Sequence, residues 1–494
     1  MKNIQDTLQP IPETQRTFTK WDMAAIWSAM VINVPGFILA TSLVDLGLSW
    51  WQAVLTITLG SIIILAPLIL NGYPGTQYGI PFPILLRPSF GVKGAHIPAI
   101  LRALVSCGWN GIETWIGGRA VFIILPSSLT TSSYAQTITW LGTSVLEFSC
   151  YILFLIVQLA LIWKGMHGIR VLGRFSSPLL ILLTSLLFSW ACYKAGGIEA
   201  MLANSNSTSH PSLHVFFSSL TAVLSSWSTI SLNISDMSRF AKSHSDEILG
   251  LLSFPLSKTL FAFAGVAVTS STVTIFGRLI SDPMELIMAI GGTFTTVIAT
   301  FGISLAVITT NIPCNLVAPS NVLLSLFPST LNFTHSAIIS SLIGLAFQPW
   351  RILGSSENYV YTWLGGYSSI AGSIAGILAT DYYVIRRMVL DVSSLYCESD
   401  VLGDYYYDGG FNLAAIGALI ISVAPTVPGF LQKVGILKTT GSGVFITIYD
   451  NSWFFGVFCG ALVYWVFCQY CFKVVGNKKE TTSSVLEQPL HCGE

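Results

Sequence analysis

The chain has 494 residues, of which 52% are hydrophobic and only 9% are charged, with 23 Lys and Arg residues balanced by 23 Asp and Glu residues. A typical soluble protein carries about 25% charged residues, so this chain has too few to cover a water-exposed surface. The composition excludes a soluble multidomain enzyme and a disordered chain, and the balanced charge gives no sign of a nucleic-acid partner. It predicts an all-α membrane protein.

Apolar runs recur along the whole chain. A helix needs about 20 mostly apolar residues to cross a bilayer, because hydrocarbon offers no water to the peptide groups. The runs predict about twelve transmembrane helices, near residues 22–44, 50–71, 97–124, 138–163, 172–193, 213–234, 256–276, 286–312, 335–350, 358–383, 411–430 and 452–472.

The distribution of Lys and Arg predicts the orientation of these spans. If the odd-numbered spans start inside, most basic residues, among them Arg102 and Lys258, fall on the cytoplasmic side, where positive charge is normally enriched. Residues 1–20 and 473–494 are therefore predicted to be cytoplasmic tails of a multi-pass protein of the plasma membrane. The inner loop 71–95 is rich in Gly and Pro and is predicted to be irregular.

The first span contains a helix-breaking sequence, INVPG at residues 32–36, at mid-depth. Pro removes a helical donor and Gly tolerates unusual backbone angles, so the helix is expected to break and free the carbonyl groups around Ala29 and Ile32. Broken helices occur at this depth only where they line a cavity or contact protein. A plain proline kink is the structural alternative.

The third span carries an acidic residue, Glu113, near its middle. A charge there costs at least about 2.5 kcal/mol on insertion scales, which favours a functional interpretation. Trp109 lies one helical turn earlier, so an indole and a carboxylate share one face. Four glycines between residues 108 and 118 allow a helix or a ligand to approach the backbone. A Glu hydrogen-bonded between helices is the structural alternative.

Two further spans carry polar groups at depth. The sixth has a central Trp227 within the hydroxyl-rich sequence SSWSTIS. The eighth ends with Thr309 and Thr310, whose hydroxyl oxygens suit a small hard cation, and with Asn315, whose amide both donates and accepts. Such hydroxyls can also simply join neighbouring helices.

Interrupted helices that flank a site at the bilayer midplane are typical of secondary transporters. A membrane-embedded enzyme and a channel are the alternatives from other classes. All seven His residues fall in loops, tails or span ends, which leaves no Ser–His or metal constellation for an enzyme. The sequence also lacks the ordered rings of charge or repeated filter loops of a channel.

Four motifs carry a resemblance to a known family: NGYPGTQYGIPFP at 71–83, RPSFGVKG at 87–94, LRALVSCGWNGIETWIGG at 101–118 and TTNIPCNLVAP at 309–319. With them the chain resembles the nucleobase:cation symporter-1 family over about residues 20–475. The resemblance implies a LeuT-like fold, a five-plus-five inverted repeat with two extra C-terminal helices. It divides a single transporter domain, 21–472, into repeat one (about 21–195), repeat two (about 213–390) and the extra helices (about 411–472).

The resemblance also implies which residues bind the substrate. The ring-stacking tryptophans correspond to Trp109 and Trp227. Glu113 stands where several members have a Gln that holds the amide-like edge of the ring, and the amides that face the ligand correspond to Asn33 and Asn315. An ionised carboxylate accepts two ring N–H bonds, so Glu113 favours a ligand edge rich in donors. Asn33 is one methylene shorter than the Gln of some members.

Members that use sodium bind it at a site for which the resemblance implies counterparts in this chain. The backbone carbonyls correspond to Ala29, Ile32 and Ala306, and the hydroxyls correspond to Thr309 and Thr310. A gate on the tenth span corresponds to Gly366–Ser369.

The expected function is secondary active symport of a planar nitrogen heterocycle, such as uracil, a purine or allantoin, with H⁺ or Na⁺. Sodium would use the threonine oxygens, whereas a buried Glu113 would exchange a proton, because desolvation disfavours its charged form. A thiamine or pyridoxine carrier of the same family is the closest alternative. The expected partners are the heterocyclic substrate and the lipid bilayer, with no cofactor besides the coupling ion.

Overall fold

The computed structural model of the protein describes residues 8–162, 165–203, 213–327, 329–396, 403–437 and 443–471. Within them the regular structure is almost entirely helical. The strands form one short hairpin, in which β1 (Thr137–Ile138) pairs antiparallel with β2 (Thr143–Ser144).

Ten α-helices precede residue 204 in the described chain. They are α1 (Lys20–Val31), α2 (Val34–Asp45), α3 (Trp50–Tyr78), α4 (Phe82–Leu85), α5 (Arg87–Phe90), α6 (His96–Phe122), α7 (Ser127–Thr130), α8 (Val145–Ile162), α9 (Gly165–Ala195) and α10 (Ile198–Leu202).

The described chain after residue 212 continues with further α-helices. They are α11 (Leu213–Asn233), α12 (Ser235–Ser238), α13 (His244–Leu251), α14 (Ser253–Phe276), α15 (Pro283–Ile290), α16 (Thr293–Asn311), α17 (Val317–Leu326), α18 (Phe333–Ala346), α19 (Pro349–Ile352), α20 (Ser368–Ala379), α21 (Val392–Leu395), α22 (Leu413–Val423), α23 (Val427–Lys433), α24 (Val444–Asp450) and α25 (Ser452–Val466). Short 3-10 turns lie at Glu13–Gln15, Ser133–Ala135 and Ala424–Thr426, and π turns lie at Ile312–Leu316, Asn358–Leu364, Thr380–Ile385 and Phe467–Cys471.

Several helices are long and apolar enough to cross a membrane. In the described part of the chain there are seven: Trp50–Tyr78, Val171–Ala195, Leu213–Asn233, His244–Phe276, Thr293–Leu326, Leu413–Lys433 and Ser452–Cys471. The bent pair α1 and α2 adds an eighth if it forms one span. The prediction of an all-α, multi-pass membrane protein is confirmed, whereas the count of twelve and the division into repeats stay predictions.

The inner loop predicted to be irregular is largely helical, so that prediction is wrong. Helix α3 continues to Tyr78 through Pro74, and α4 and α5 follow after short breaks. The side chain of Asn71 donates to the carbonyl of Ser231 at 2.9 Å, which fixes this part of α3 against α11. Tertiary packing therefore overrides the local helix-breaking signals here.

Two predicted spans also have wrong boundaries. The fourth span begins at Val145 rather than near residue 138, because the preceding residues form the β-hairpin. The eighth span begins at Thr293, since Gly291 and Gly292 adopt φ angles of 71° and 84° that end α15. These angles lie in the region that favours glycine. From Thr293 the helix continues through a π turn to Leu326.

Close helix packing joins α20 to α25. Helices α20 and α25 approach through glycines: a Cβ atom added at Gly376 would lie 2.2 Å from the carbonyl oxygen of Val457, and one at Gly460 would lie 2.9 Å from that of Ser373. Small residues are the usual means by which membrane helices come this close.

The described part of the N-terminal segment packs on the helical body. Ile11 N–H donates to the carbonyl of Gly79 at 2.9 Å, and Phe18 N–H donates to the carbonyl of Phe240 at 2.9 Å. The whole predicted C-terminal tail, 473–494, lies outside the described residues.

Candidate functional site

The first span breaks between α1 and α2 with a bend of 52°, which confirms the predicted interruption. Asn33 caps α2: its Oδ1 accepts from Gly36 N–H at 2.6 Å, while its Nδ2 donates to the carbonyl of Met30 at 2.6 Å. Pro35 stands in the first turn of α2, where a missing N–H costs nothing. The amide of Asn33 is therefore largely committed to holding the break.

A small cavity lies beside this break. It brings together all five residues predicted to bind the substrate. Its lining residues are Asn33, Pro35, Gly36, Leu39, Trp109, Glu113, Ser226, Trp227, Thr229, Ile230, Lys258, Thr310, Cys314, Asn315 and Tyr359. The lining combines aromatic and aliphatic surface with a few polar groups, as in small-molecule sites generally.

Glu113 lies on α6 and is 2% exposed. Its Oε2 atom has no hydrogen-bond partner among the described residues, so a Glu hydrogen-bonded between helices does not describe this side chain. The nearby glycines serve helix packing instead of ligand access: a Cβ atom at Gly111 would lie 2.4 Å from the carbonyl oxygen of Gly344 on α18. Glu113 thus keeps acceptor capacity within the cavity.

The two predicted stacking tryptophans are held by other aromatic side chains. Trp227 on α11 packs edge-on against Phe254 with ring centroids 4.7 Å apart. Trp109 on α6 packs edge-on against Tyr359 and Trp363, at 6.2 and 5.9 Å. Both indoles are held by neighbours while still lining the cavity, so each offers surface to a flat ring.

Lys258 is one of the cavity residues that the sequence analysis does not single out. It was assigned to the cytoplasmic side, but it lies on α14, is 5% exposed and lines the same cavity as Glu113. Its Nζ atom has no hydrogen-bond partner among the described residues and lies 5.2 Å from the ring centre of Trp227. Its position inside the predicted seventh span was the available signal.

Arg102 was also assigned to the water-exposed cytoplasmic side, and the structure buries it at 2% exposure. Its guanidinium donates to the carbonyl of Thr229 at 2.6 Å, to that of Cys314 at 3.2 Å, and to Oδ1 of Asn233 at 2.8 Å. Thr229 and Cys314 line the cavity, so Arg102 joins α6, α11 and the π turn behind the site. Arg102 and Lys258 do not support the orientation inferred from charge.

Asn315 lies in the π turn that follows α16 and lines the cavity. Its Nδ2 donates to Oδ1 of Asn311 at 3.2 Å. Among the described residues its Oδ1 accepts no hydrogen bond from a side chain or backbone group. The amide therefore presents an acceptor oxygen and one remaining N–H toward the cavity.

The residues predicted to bind a cation surround the break in the first span. Thr310 donates to the carbonyl of Met30 at 3.2 Å, and Thr309 donates to the carbonyl of Ala306 at 3.0 Å. Ala29 and Thr309 line a small void between α1, α9 and α16, and Ile32 packs against Ala306. Helix α16 thus lies directly against the break, with its hydroxyl hydrogens already donated.

The predicted tenth-span gate, Gly366–Ser369, is hydrogen-bonded to two helices of the site. The hydroxyl of Tyr367 accepts from Trp109 Nε1 at 3.1 Å and donates to the carbonyl of Ser225 at 3.0 Å. Tyr359, just before this segment, lines the cavity and donates to the carbonyl of Pro35 at 3.2 Å. The sequence held no spacing signal that would single out either tyrosine.

The fold and the cavity define a class, the multi-pass membrane transporters. A family model described as a permease for cytosine/purines, uracil, thiamine and allantoin matches residues 10–456. The chain belongs to this family, the nucleobase:cation symporter-1 permeases.

Two relatives match the sequence of this chain over nearly its whole length. The chain is 50% identical over 480 residues to a purine-uracil permease of Arabidopsis thaliana, covering 97% of this chain and 79% of the relative. It is 31% identical over 463 residues to an allantoin permease of Bacillus subtilis, covering 93% and 92%. These relatives are permeases, and the protein is accordingly a transporter and not an enzyme.

A solved structure shares the fold. The nucleobase-cation-symport-1 family transporter Mhp1, in a closed conformation with bromovinylhydantoin bound, superposes with a TM-score of 0.74 at 23% identity. The match covers 95% of this chain and 97% of that one.

Proposed function

We propose that this protein is a symporter that imports a neutral, planar nitrogen heterocycle, a nucleobase or an allantoin-like ureide, by alternating access. The observation that carries the proposal is the unpartnered carboxyl of Glu113 in a cavity lined by Trp109 and Trp227. A flat ring between the two indoles would gain aromatic contact and apolar burial. Its polar edge would then satisfy Glu113.

The polar groups of the cavity favour a particular ligand edge. Glu113 in its ionised form and Oδ1 of Asn315 accept hydrogen bonds, whereas Lys258 donates them. A ring edge that presents N–H groups beside a carbonyl, as in uracil, oxidised purines and allantoin, complements this set. A site with such buried groups discriminates strongly, because an analogue that leaves them unpaired loses their hydrogen bonds without regaining water. The printed names of the relatives, purine-uracil and allantoin permeases, support this class.

A thiamine carrier is the nearest alternative, and the cavity disfavours it. Thiamine carries a positive charge, and Lys258 lines the same cavity as the proposed ligand. A protonated Lys258 would repel this second cation strongly in a poorly hydrated space. The same reasoning favours neutral or anionic ligands.

We propose H⁺ as the coupling ion. Glu113 and Lys258 are an acid and an amine that line one cavity, and both can exchange a proton with a bound ligand or with water. The alternative, Na⁺, would use the carbonyls of Ala29, Ile32 and Ala306 with the oxygens of Thr309 and Thr310. By either route the ion promotes import by binding the outward-open state more tightly than the inward-open state.

The proposed membrane arrangement follows from the function. An importer of external heterocycles acts in the plasma membrane, and we place both termini in the cytoplasm. Alternating access requires the helices that carry Trp227 and Asn33 to move relative to the helix that carries Glu113.

The test is uptake of radiolabelled uracil, adenine and allantoin in cells that lack their own base carriers. Each is measured with sodium present, with sodium replaced by choline, and with a protonophore. The proposal expects uptake of uracil or allantoin that survives sodium replacement and is abolished by the protonophore. Uptake that depends on sodium and resists the protonophore would replace H⁺ by Na⁺. Uptake blocked by excess thiamine, or no uptake of any base, would overturn the proposed substrate class.

A further inference from the structure

We infer that a directional chain of hydrogen bonds, ending at Asn311, fixes which way the amide of Asn315 faces in the cavity. Asn311 is thus a positioning residue for substrate selection. The inference rests on the proposed function, because it assigns a role to residues behind the proposed substrate site. The residues that carry it lie on α6, α8, α16 and α18.

The chain begins at the backbone of α18. The hydroxyl of Ser341 donates its one hydrogen to the carbonyl of Ala337 at 2.9 Å. Its oxygen is therefore left as an acceptor, and Nδ2 of Asn110 donates to it at 3.3 Å. This fixes the amide of Asn110, which lies on α6 next to Trp109, with Oδ1 on the side of Asn311.

Asn311 on α16 links the fixed amide of Asn110 to the amide of Asn315. Its Nδ2 donates to Oδ1 of Asn110 at 2.7 Å and to Oε1 of Gln158 at 2.7 Å. Both hydrogens of the amide are then used, so its Oδ1 is the acceptor for Nδ2 of Asn315 at 3.2 Å. If the amide of Asn311 were rotated by half a turn, its Oδ1 would face Oδ1 of Asn110 and Oε1 of Gln158, and oxygen atoms repel each other.

Gln158 on α8 is the second acceptor for the amide of Asn311. Its Nε2 donates to the hydroxyl oxygen of Thr114 at 3.0 Å, which leaves Oε1 as the acceptor for Asn311. Asn110, Thr114, Gln158 and Asn311 are each 0% exposed, so water does not compete for these bonds. Reversing one amide would leave several buried groups unpaired, and such networks hold a single arrangement.

The consequence reaches the cavity through Asn315. Because its Nδ2 is held by Asn311, its Oδ1 remains available as an acceptor on the cavity side. A ligand N–H is therefore favoured opposite Oδ1 of Asn315, whereas a ligand carbonyl or a ring nitrogen without hydrogen is disfavoured at that position. Among the described residues, the side chain of Asn311 is hydrogen-bonded to Asn110, Thr114, Gln158 and Asn315, and of these only Asn315 lines the cavity. Asn311 is therefore expected to act on the ligand through Asn315.

A double-mutant cycle tests this dependence. Asn311→Leu, Asn315→Ala and the double variant are compared with the wild type by competition of unlabelled uracil and its N-methylated derivatives against labelled uracil uptake. We expect each single variant to weaken apparent uracil affinity about tenfold, which corresponds to about 1.4 kcal/mol. The double variant should be no weaker than Asn315→Ala alone, because the effect of Asn311 passes through Asn315. Asn311→Leu should also reduce the difference in apparent affinity between uracil and its N-methylated derivatives.

Losses that multiply to about a hundredfold in the double variant would overturn the inference, since Asn311 would then act independently of Asn315. Ser340→Ala is the matched control: Ser340 is equally buried on α18 but donates to Ser336 within its own helix, so affinity should stay unchanged. If Asn311→Leu does not reach the membrane, Ser341→Ala replaces it in the same cycle, with the same expected non-additivity. A wild type that takes up none of the bases refutes the proposed function, whereas additive losses in an active transporter refute only the positioning role.

Discussion

Glu113 on α6 and Lys258 on α14 line the same cavity, and neither Oε2 of the acid nor Nζ of the amine has a hydrogen-bond partner among the described residues. Groups of this kind are costly to bury unless something compensates them. A polar ligand in the cavity provides that compensation, and this relationship underlies the predictions about transport.

Replacing Lys258 should lower transport activity without lowering the stability of the fold. Lys258→Met removes a buried, unpartnered amine while keeping a side chain of similar length. We expect at least a tenfold fall in uptake, together with an unchanged or raised melting temperature, because the desolvation cost disappears. Uptake at matched membrane levels and thermal unfolding of the purified protein measure the two effects. The control Lys242→Met, at an exposed lysine, should change neither, and full uptake by Lys258→Met would remove this residue from the mechanism.

Trimming the indole of Trp227 should weaken ligand binding without loss of the fold. Trp227→Phe keeps an aromatic ring beside Phe254 but reduces the surface offered to the ligand. We expect an apparent KM about two- to tenfold higher, the range expected for a weakened aromatic contact. Trp140→Phe, at an indole that is 77% exposed, serves as the comparison and should leave KM unchanged. An unchanged KM in Trp227→Phe would argue against stacking on this ring.

Loss of the cap at the broken helix should impair transport and stability together. Asn33→Ala removes the side-chain bonds to Gly36 and Met30, at a cost of about 1 kcal/mol in the free energy of unfolding. Uptake should fall as well, because the cap sets the shape of the cavity wall. In the matched variant Asn332→Ala, which removes the cap of α18, stability should fall by a similar amount while substrate affinity is retained. Equal effects of both variants on affinity would show that Asn33 has no special role.

The hydroxyl of Tyr367 should matter through its two hydrogen bonds. Tyr367→Phe leaves Trp109 Nε1 without an acceptor and the carbonyl of Ser225 without that donor. The carbonyl of Ser225 still accepts from Ser228, but the unpaired buried N–H of Trp109 costs about 1–3 kcal/mol. The melting temperature should therefore fall, and the apparent KM should rise as Trp109 loosens. Thermal unfolding and uptake kinetics measure both effects. The control Tyr470→Phe, at a ring that is 76% exposed, should behave as wild type. A KM for Tyr367→Phe that equals the wild-type KM would contradict the role of Tyr367 in holding Trp109.

The broken first span and the residues around the cavity were predictable because their signals are local. Pro and Gly at mid-depth favour an interruption of a helix. An acid such as Glu113 in an apolar run is recognisable because a charged group inside a membrane costs free energy. The motif resemblance supplied the partners Trp227 and Asn315 from distant spans. The structure brings all of them to one cavity.

The remaining features depend on contacts that no local pattern encodes. The loop after residue 71 looked irregular, yet Asn71 bonds to Ser231 and the helix persists through Pro74. Lys258 resembled an interfacial lysine because it lies near the start of its span, and the structure buries it beside Trp227 on α11. The amide chain behind Asn315 is likewise visible only once α6, α8, α16 and α18 are placed together.

Transport by Glu113→Gln, reconstituted in proteoliposomes beside the wild type, tests the central claim most directly. The substitution keeps the shape of the side chain but replaces one acceptor oxygen by a donor, so uracil and allantoin uptake should collapse or their order of preference should change. The two proteins should have similar melting temperatures and membrane levels. Uptake of every base at wild-type rate and affinity would contradict the account, because the ligand would then not meet this carboxyl group.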